Sequence, residues 1–216
     1  MSVAAMRHLS VDPVWARLIA RVGKPRLEIA RDQSPFEALM RAIAHQQLHG
    51  RAARAITARF VALYPEASFP TPAQVIATDE AVLRGCGFSA AKVATLRSIS
   101  AHALEGIVPS RAAAARLSDD VLIERLTQIR GVGRWTVEML LIFTLGRPDI
   151  LPVDDYGVRE GYRVLHGLDA QPKPRALATI GEAWAPHRSR AAWYLWRAAE
   201  LATDATHLPA ETDARP

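Results

Sequence analysis

Helical punctuation is the feature that most narrows the folds open to this chain. Apolar residues recur at three- and four-residue spacing along most of its length, with capping residues ahead of each run and Gly or Pro behind it. Ser34-Pro35-Phe36-Glu37 reads as a capping box with Pro at the first helical position, opening a helix that carries Leu39 and Ile43 toward Gly50. Ala53, Ile56, Phe60 and Leu63 mark a second helix, and Thr71-Pro72-Ala73-Gln74 repeats the capping device. Asp79 is expected to cap a short helix ending at Gly85, and 89–104 a longer one with Val93, Leu96 and Ile99 on one side. Ser118 caps a helix through Leu122, Leu126 and Ile129, which Gly131 stops. The apolar run from Arg134 to Leu145 ends at Gly146, a C′ residue by type and place. Pro148 and Pro152 then force a non-helical connector, after which helices are expected over 155–166, 174–183 and 187–202. No strand alternation, internal repeat or low-complexity block is present. The reading is an all-α protein of about ten short helices, with a tail over 204–216 that is poor in large apolar residues and expected to be disordered.

The 216 residues suffice for one sizeable core or two small lobes sharing an interface. A net charge of +5 and a pI near 9.9 suit an anionic partner, nucleic acid first, although many soluble proteins are mildly basic. The basic residues are nearly all arginine, because Lys24, Lys92 and Lys173 are the only lysines. Cys86 is the only cysteine, which excludes a disulfide framework, a cysteine zinc finger and a four-cysteine iron–sulfur cluster within the chain. The N-terminus lacks the apolar core of a secretory signal, and no stretch approaches the roughly 18 apolar residues of a membrane span. A cytoplasmic monomer is expected, nucleoid-associated if the host is bacterial.

Leu126 to Thr136 is the most informative segment. One helix ends, Gly131 and Gly133 turn the chain, and another helix begins. Glycines there permit positive φ and close approach of a phosphate to the backbone. The amides opening the second helix would face an anion, with Thr136 adding a hydroxyl and Arg134 a charge. The plain alternative is an ordinary tight turn between helices.

From these residues onward the chain resembles the helix-hairpin-helix DNA glycosylase superfamily, and within it the 3-methyladenine, alkylation-repair branch. The matching motifs are Gln46-Gln47-Leu48, Gly-Val-Gly-Arg-Trp-Thr at 131–136, Pro-Val-Asp-Asp-Tyr at 152–156, and Trp184, Arg188-Ser189 and Trp196. The resemblance runs from about residue 34 to 200 and implies a two-lobed helical glycosylase fold with the active-site cleft between lobes. Residues 34–153 would form a central helical barrel lobe, and 1–33 with 154–203 the second lobe. With so little chain before the first shared helix, the N-terminal β-domain of some bacterial relatives is expected to be absent, as in the compact yeast-like form.

The resemblance also assigns roles. Asp155, the second of the adjacent acids, would be catalytic, and Asp154 would cap the next helix or orient the loop; the bland alternative makes both simple N-caps. Cleaving a purine N-glycosidic bond develops positive charge on the sugar, which a carboxylate beside C1′ stabilises more in the transition state than in the ground state. Trp135 and Trp196 would line the pocket for a flipped cationic purine, with Met139 where relatives often carry an aromatic. Trp184 and Trp193 are expected in the core. Leu48 would fill the gap left by the flipped nucleotide, with Gln47 or His49 touching the opposite base. His45 and His49 stand one helical turn apart, but no third ligand accompanies them.

Bifunctional members place a Schiff-base lysine at the position Trp135 occupies, so this chain would be monofunctional, without lyase activity. No cofactor is required by this reading. The backbone carbonyls of Thr127, Ile129 and Val132 resemble those that hold a Na+ or K+ ion in related hairpins, bridging protein and phosphate. The implied function is removal of alkylated purines (3-methyladenine, with 7-methylguanine and related lesions) from double-stranded DNA, leaving an abasic site. The alternatives are a glycosylase for another lesion, such as ethenoadenine or an oxidised purine, and a non-catalytic helix-hairpin-helix DNA-binding module.

Overall fold

The computed structural model describes residues 2–46 and 50–207, and all its regular structure is helical: no strand occurs among the described residues. Gln47, Leu48 and His49 lie outside the described residues. No described helix is long and apolar enough to cross a membrane. Thirteen α-helices occur among the described residues, where the sequence suggested about ten. The surplus arises where short caps cut what periodicity joins: α1 (Ser2–Leu9) and α2 (Pro13–Val22) part at Asp12, whose carboxylate accepts from the Val14 amide, and α8 (Arg111–Ala114) is a single turn capped by Ser110.

The chain divides into two compact units, one built from residues up to Glu28 and from Arg147 onward, the other from Ile29–Gly146. These boundaries depart from the expected 33/34 and 153/154, and hydrogen bonds give the reason. The Ala30 amide donates to the Phe143 carbonyl at 2.8 Å, and Arg111 donates to the carbonyls of Ala30 and Gln33, so residues 29–33 belong with the second unit. Ser189 Oγ donates to the Arg147 carbonyl at 2.7 Å and accepts from the Ile150 amide at 2.9 Å, so the loop after Gly146 belongs with the first.

The 29–146 unit holds α3 (Pro35–His45), α4 (Gly50–Ala62), α5 (Pro72–Ala77), α6 (Glu80–Gly85), α7 (Ala90–Leu104), α8, α9 (Asp119–Thr127) and α10 (Arg134–Met139). Its core is Leu39, Met40 and Ile43 from α3, Phe60 from α4, Val93, Leu96 and Ile99 from α7, and Leu122 and Leu126 from α9, all buried. Thr71 and Gln74 form the full reciprocal capping box. Ser34 makes only half of one: its hydroxyl accepts from the Glu37 amide, but the Glu37 carboxylate turns outward to Arg41 at 2.8 Å. Asp79 begins α6 without a side-chain cap. α10 continues into a π-helical segment, Leu140–Leu145, which ends at Gly146 with φ of 71°.

The other unit packs α1 and α2 with α11 (Tyr156–His166), α12 (Pro174–Ile180), a 3₁₀ turn (Gly181–Trp184) and α13 (Arg188–His207). Trp15 and Trp184 meet edge-to-face at 5.1 Å in its centre, beside Leu18, Val158, Leu177, Tyr194 and Leu195. Tyr194 donates its hydroxyl to the Gly23 carbonyl at 2.8 Å, and burial pushes its pKa up to about 12. Trp184 is core, as expected, whereas Trp193 is only half-buried at the edge of that core, its ring against Tyr194.

Candidate functional site

Two sets of residues carry the expected chemistry, one in each unit. The first surrounds Asp155. Asp149 accepts two hydrogen bonds from the Arg188 guanidinium, at 2.8 and 2.7 Å, and a third from the Arg188 amide at 3.2 Å. These bonds hold the Asp149 carboxyl below the usual carboxylate range. Together with Ser189, which is fully buried, they stitch the Arg147–Ile150 loop to the start of α13. The loop then passes buried Pro152, whose carbonyl accepts from the Asp155 amide at 3.0 Å, and delivers Asp155 to the N-terminus of α11.

Asp155 is itself the cap of that helix. Its Oδ1 accepts from the Val158 amide at 2.8 Å and from the indole Nε1 of Trp196, on α13, at 2.8 Å. The cap expected of Asp154 is therefore made by its neighbour, and Asp154 is exposed. Trp196, expected to line the base pocket, donates its ring nitrogen to Asp155. Two N–H groups on one oxygen fix the carboxylate's direction, and the helix dipole favours negative charge there. Two glycines of α11 make this possible. A Cβ at Gly157 would lie 2.8 Å from the Trp196 ring, and one at Gly161 only 1.9 Å from the Leu195 carbonyl oxygen, so α13 approaches α11 over bare backbone. Tyr156, beside Asp155, is 70% exposed, and sequence reading gave it no role.

The second set is the hairpin between α9 and α10. Gly131 has φ of 83°, a left-handed conformation that favours glycine. Its missing side chain serves packing rather than open approach, because a Cβ there would meet Thr95 Oγ1 of α7 at 2.3 Å. Gly133 is the opposite case: it begins α10 with φ of −88°, and a Cβ would meet nothing within 4 Å. Arg134 is largely exposed and donates to Glu138 at 2.9 Å. Thr136, expected to offer its hydroxyl at the hairpin surface, is instead 3% exposed: a helix turns about 100° per residue, which carries it from the outer face of Trp135 to the inner face against α3. Trp135 is 41% exposed.

Met139 is half-buried and lines a cavity of about 440 Å³ with Thr136, Phe143, Gln33, Arg41 and His45. Trp135 is not among its walls. Among the carbonyls expected to face a cation, that of Ile129 accepts from the Val132 amide at 3.0 Å, which leaves a second lone pair. The Thr127 hydroxyl turns back to the Ile123 carbonyl at 2.7 Å, so only main-chain oxygen is offered there. Among the described residues, no group of three His, Cys, Asp or Glu side chains could hold a metal ion. Lys92, assigned nothing from sequence, is half-buried and donates to two carbonyls at the end of α3, and burial lowers its pKa. Neither it nor Asp149, Gly157 and Gly161 carries a local signal in the sequence, because their partners lie far along the chain.

A DNA-3-methyladenine glycosylase of Schizosaccharomyces pombe is 47% identical over 197 residues, covering 90% of this chain and 86% of that one. A solved S. pombe 3-methyladenine DNA glycosylase, in complex with abasic DNA, superposes with a TM-score of 0.86 over 92% of this chain and 98% of the other. A DNA-3-methyladenine glycosidase from Bacillus halodurans matches with a TM-score of 0.81 at 31% identity, over 91% and 89% of the two chains. Residues 40–187 match the HhH-GPD superfamily of base excision DNA repair proteins, and the chain belongs to that family.

Proposed function

We propose that this protein is a DNA glycosylase that removes alkylated purines from duplex DNA, with Asp155 as the catalytic carboxylate. The observation that carries the reading is the aim of Asp155: one oxygen is held by the Val158 and Trp196 N–H groups at the start of α11, directly after the stitched loop. In hydrolysis the C1′–N bond breaks, the purine leaves with the bonding pair, and water adds to C1′ and releases a proton. The sugar becomes oxocarbenium-like on the way, and a carboxylate fixed beside it stabilises that charge without reorganising. An alkylated purine already carries positive charge, so it departs neutral and needs little acid assistance.

The same reading makes the enzyme monofunctional. Trp135 stands where bifunctional relatives carry the Schiff-base lysine, and tryptophan cannot form an imine. Lys92 is half-buried with its amine bonded to the carbonyls of Ala44 and Gln46. The product would be an intact strand with an abasic site, and a borohydride-trapped protein–DNA adduct would contradict this. At the hairpin, Gly133 and the amides that follow it would meet a phosphate. The carbonyls of Thr127, Ile129 and Val132 would suit a monovalent ion, since three neutral oxygens offer no charge to strip a divalent ion of its water. Such an ion would support DNA affinity.

Single-turnover base release from methylated duplex DNA tests the assignment. Asp155→Asn is expected to stay folded, bind DNA and lose on the order of a hundredfold or more in rate. A variant within about threefold of wild type would sink it, and DNA binding without any base release by wild type would favour a non-catalytic binding module.

A further inference from the structure

We infer that Glu138 is a positioning residue for DNA binding: its buried carboxylate holds the Arg134 guanidinium by one edge and presents the other edge to a backbone phosphate of the duplex. The inference rests on the glycosylase reading, in which the hairpin meets DNA.

Packing and helix stability do not account for this pair. Glu138 stands between fully buried Val137 and half-buried Met139, on a helix packed against α3 and α9, and is itself only 2% exposed. The carboxylates of Glu37, Asp149, Glu160 and Glu200, each in an ion pair, are all at least 17% exposed. Taking a carboxylate so far from water is costly even with a partner, and an apolar side chain of that size often serves a core as well or better. The order of the two residues is also adverse. Acid before base agrees with the helix dipole, as in Glu37–Arg41 and Glu160–Arg163. Arg134–Glu138 reverses it, with the arginine as first residue of α10 and no acidic residue in that turn.

What the pair does is fix a direction. Arg134 Nε donates to Glu138 Oε1 at 2.9 Å, while the arginine side chain remains 57% exposed. A guanidinium is planar and carries donors on more than one edge, so a bond at Nε orients the plane and leaves the Nη edge to a second acceptor. Two oxygens of a phosphate match that edge in a bidentate pair. Gly133, immediately before it, has open space where a side chain would lie, so the approach to the arginine is not obstructed from that residue. An unheld arginine gives up its rotamer freedom when it meets a phosphate, whereas one already tied to a rigid, buried carboxylate has less to lose.

The test measures affinity for an undamaged duplex over a salt series, well below each variant's melting temperature. Arg134→Ala is expected to weaken binding about tenfold and to reduce the steepness of log affinity against log salt by about 0.9. Glu138→Met removes a negative charge, so if the carboxylate were a bystander this variant would bind DNA more tightly. The inference expects the opposite sign: binding about fivefold weaker, because the released arginine must be ordered on contact. Glu138→Gln keeps an oxygen for Nε and should restore wild-type affinity. In an Arg134→Ala background, Glu138→Met should weaken binding no further, since both act on one contact. If the methionine variant does not fold, Arg134→Lys carries the test. Lysine keeps the charge but cannot offer one edge to Glu138 and another to phosphate, and should lose most of the arginine's contribution. Full affinity in Arg134→Ala or Arg134→Lys, or a Glu138→Met variant that binds as tightly as wild type or more so, would overturn the inference. Binding requires no chemistry, so failure of wild type to release methylated bases would count against the glycosylase reading alone.

Discussion

The hairpin glycines and the glycines of α11 look alike in sequence and do different physical work. Gly131 is needed for its backbone conformation and because Thr95 fills the space beside it, while Gly133 one step on faces open space. Gly157 and Gly161 have ordinary helical backbones, yet a Cβ at either would strike α13: the Trp196 ring at one, the Leu195 carbonyl at the other. Glycine therefore shapes a turn at Gly131 in one unit and lets two helices touch at Gly157 and Gly161 in the other. The second use sets the Trp196 indole on Asp155, and local sequence rules favour alanine at such positions.

The largest expected effect lies at Gly161. Alanine there gains up to about 1 kcal/mol in helix propensity, but overpacking typically costs 1–3 kcal/mol and more where backbone blocks the new atom. With a carbonyl at 1.9 Å, Gly161→Ala should destabilise by about 3 kcal/mol net, read from the urea midpoint. An unchanged midpoint would mean that α11 and α13 are not locked there. Gly131→Ala should cost less, roughly 1–2 kcal/mol, from left-handed strain and the contact with Thr95. In a Thr95→Ala background the penalty should shrink toward the strain alone, and an unchanged penalty would show that Thr95 is not the obstacle. Gly133→Ala should change stability by no more than about 0.5 kcal/mol, since nothing lies near its Cβ. Gly133→Asp should leave folding intact but weaken binding to all duplex sequences by about tenfold, by placing negative charge where a phosphate contact is proposed. Full affinity in a well-folded Gly133→Asp variant would reduce the hairpin to a turn.

Most helices were legible because their signals are local. Ser34, Thr71, Ser89 and Ser118 each accept from the amide three residues on, as residue type and position suggest. Asp79 shows the limit: it occupies the right place, but its side chain makes no cap. Thr136 departs from the hairpin surface because rotation about the helix by one residue from exposed Trp135 carries it into the core. Asp154 and Asp155 are adjacent acids of equal capping propensity, and sequence rules alone do not choose between them for the cap.

By itself the sequence determined an all-helical chain, the glycine turn at 131–133, an arginine-rich charge with three lysines, and tryptophan at position 135. Each follows from residue type and short-range spacing, where propensity, capping and charge act within a few residues. The tertiary structure alone decided that Asp155 is the cap held by Trp196, that Asp149 and Ser189 fasten its loop to α13, that Gly161 admits a backbone carbonyl, and that Lys92 closes α3. These pairings join residues tens of positions apart. Their geometry depends on how closely two helices approach, and only packing of the whole unit sets that distance.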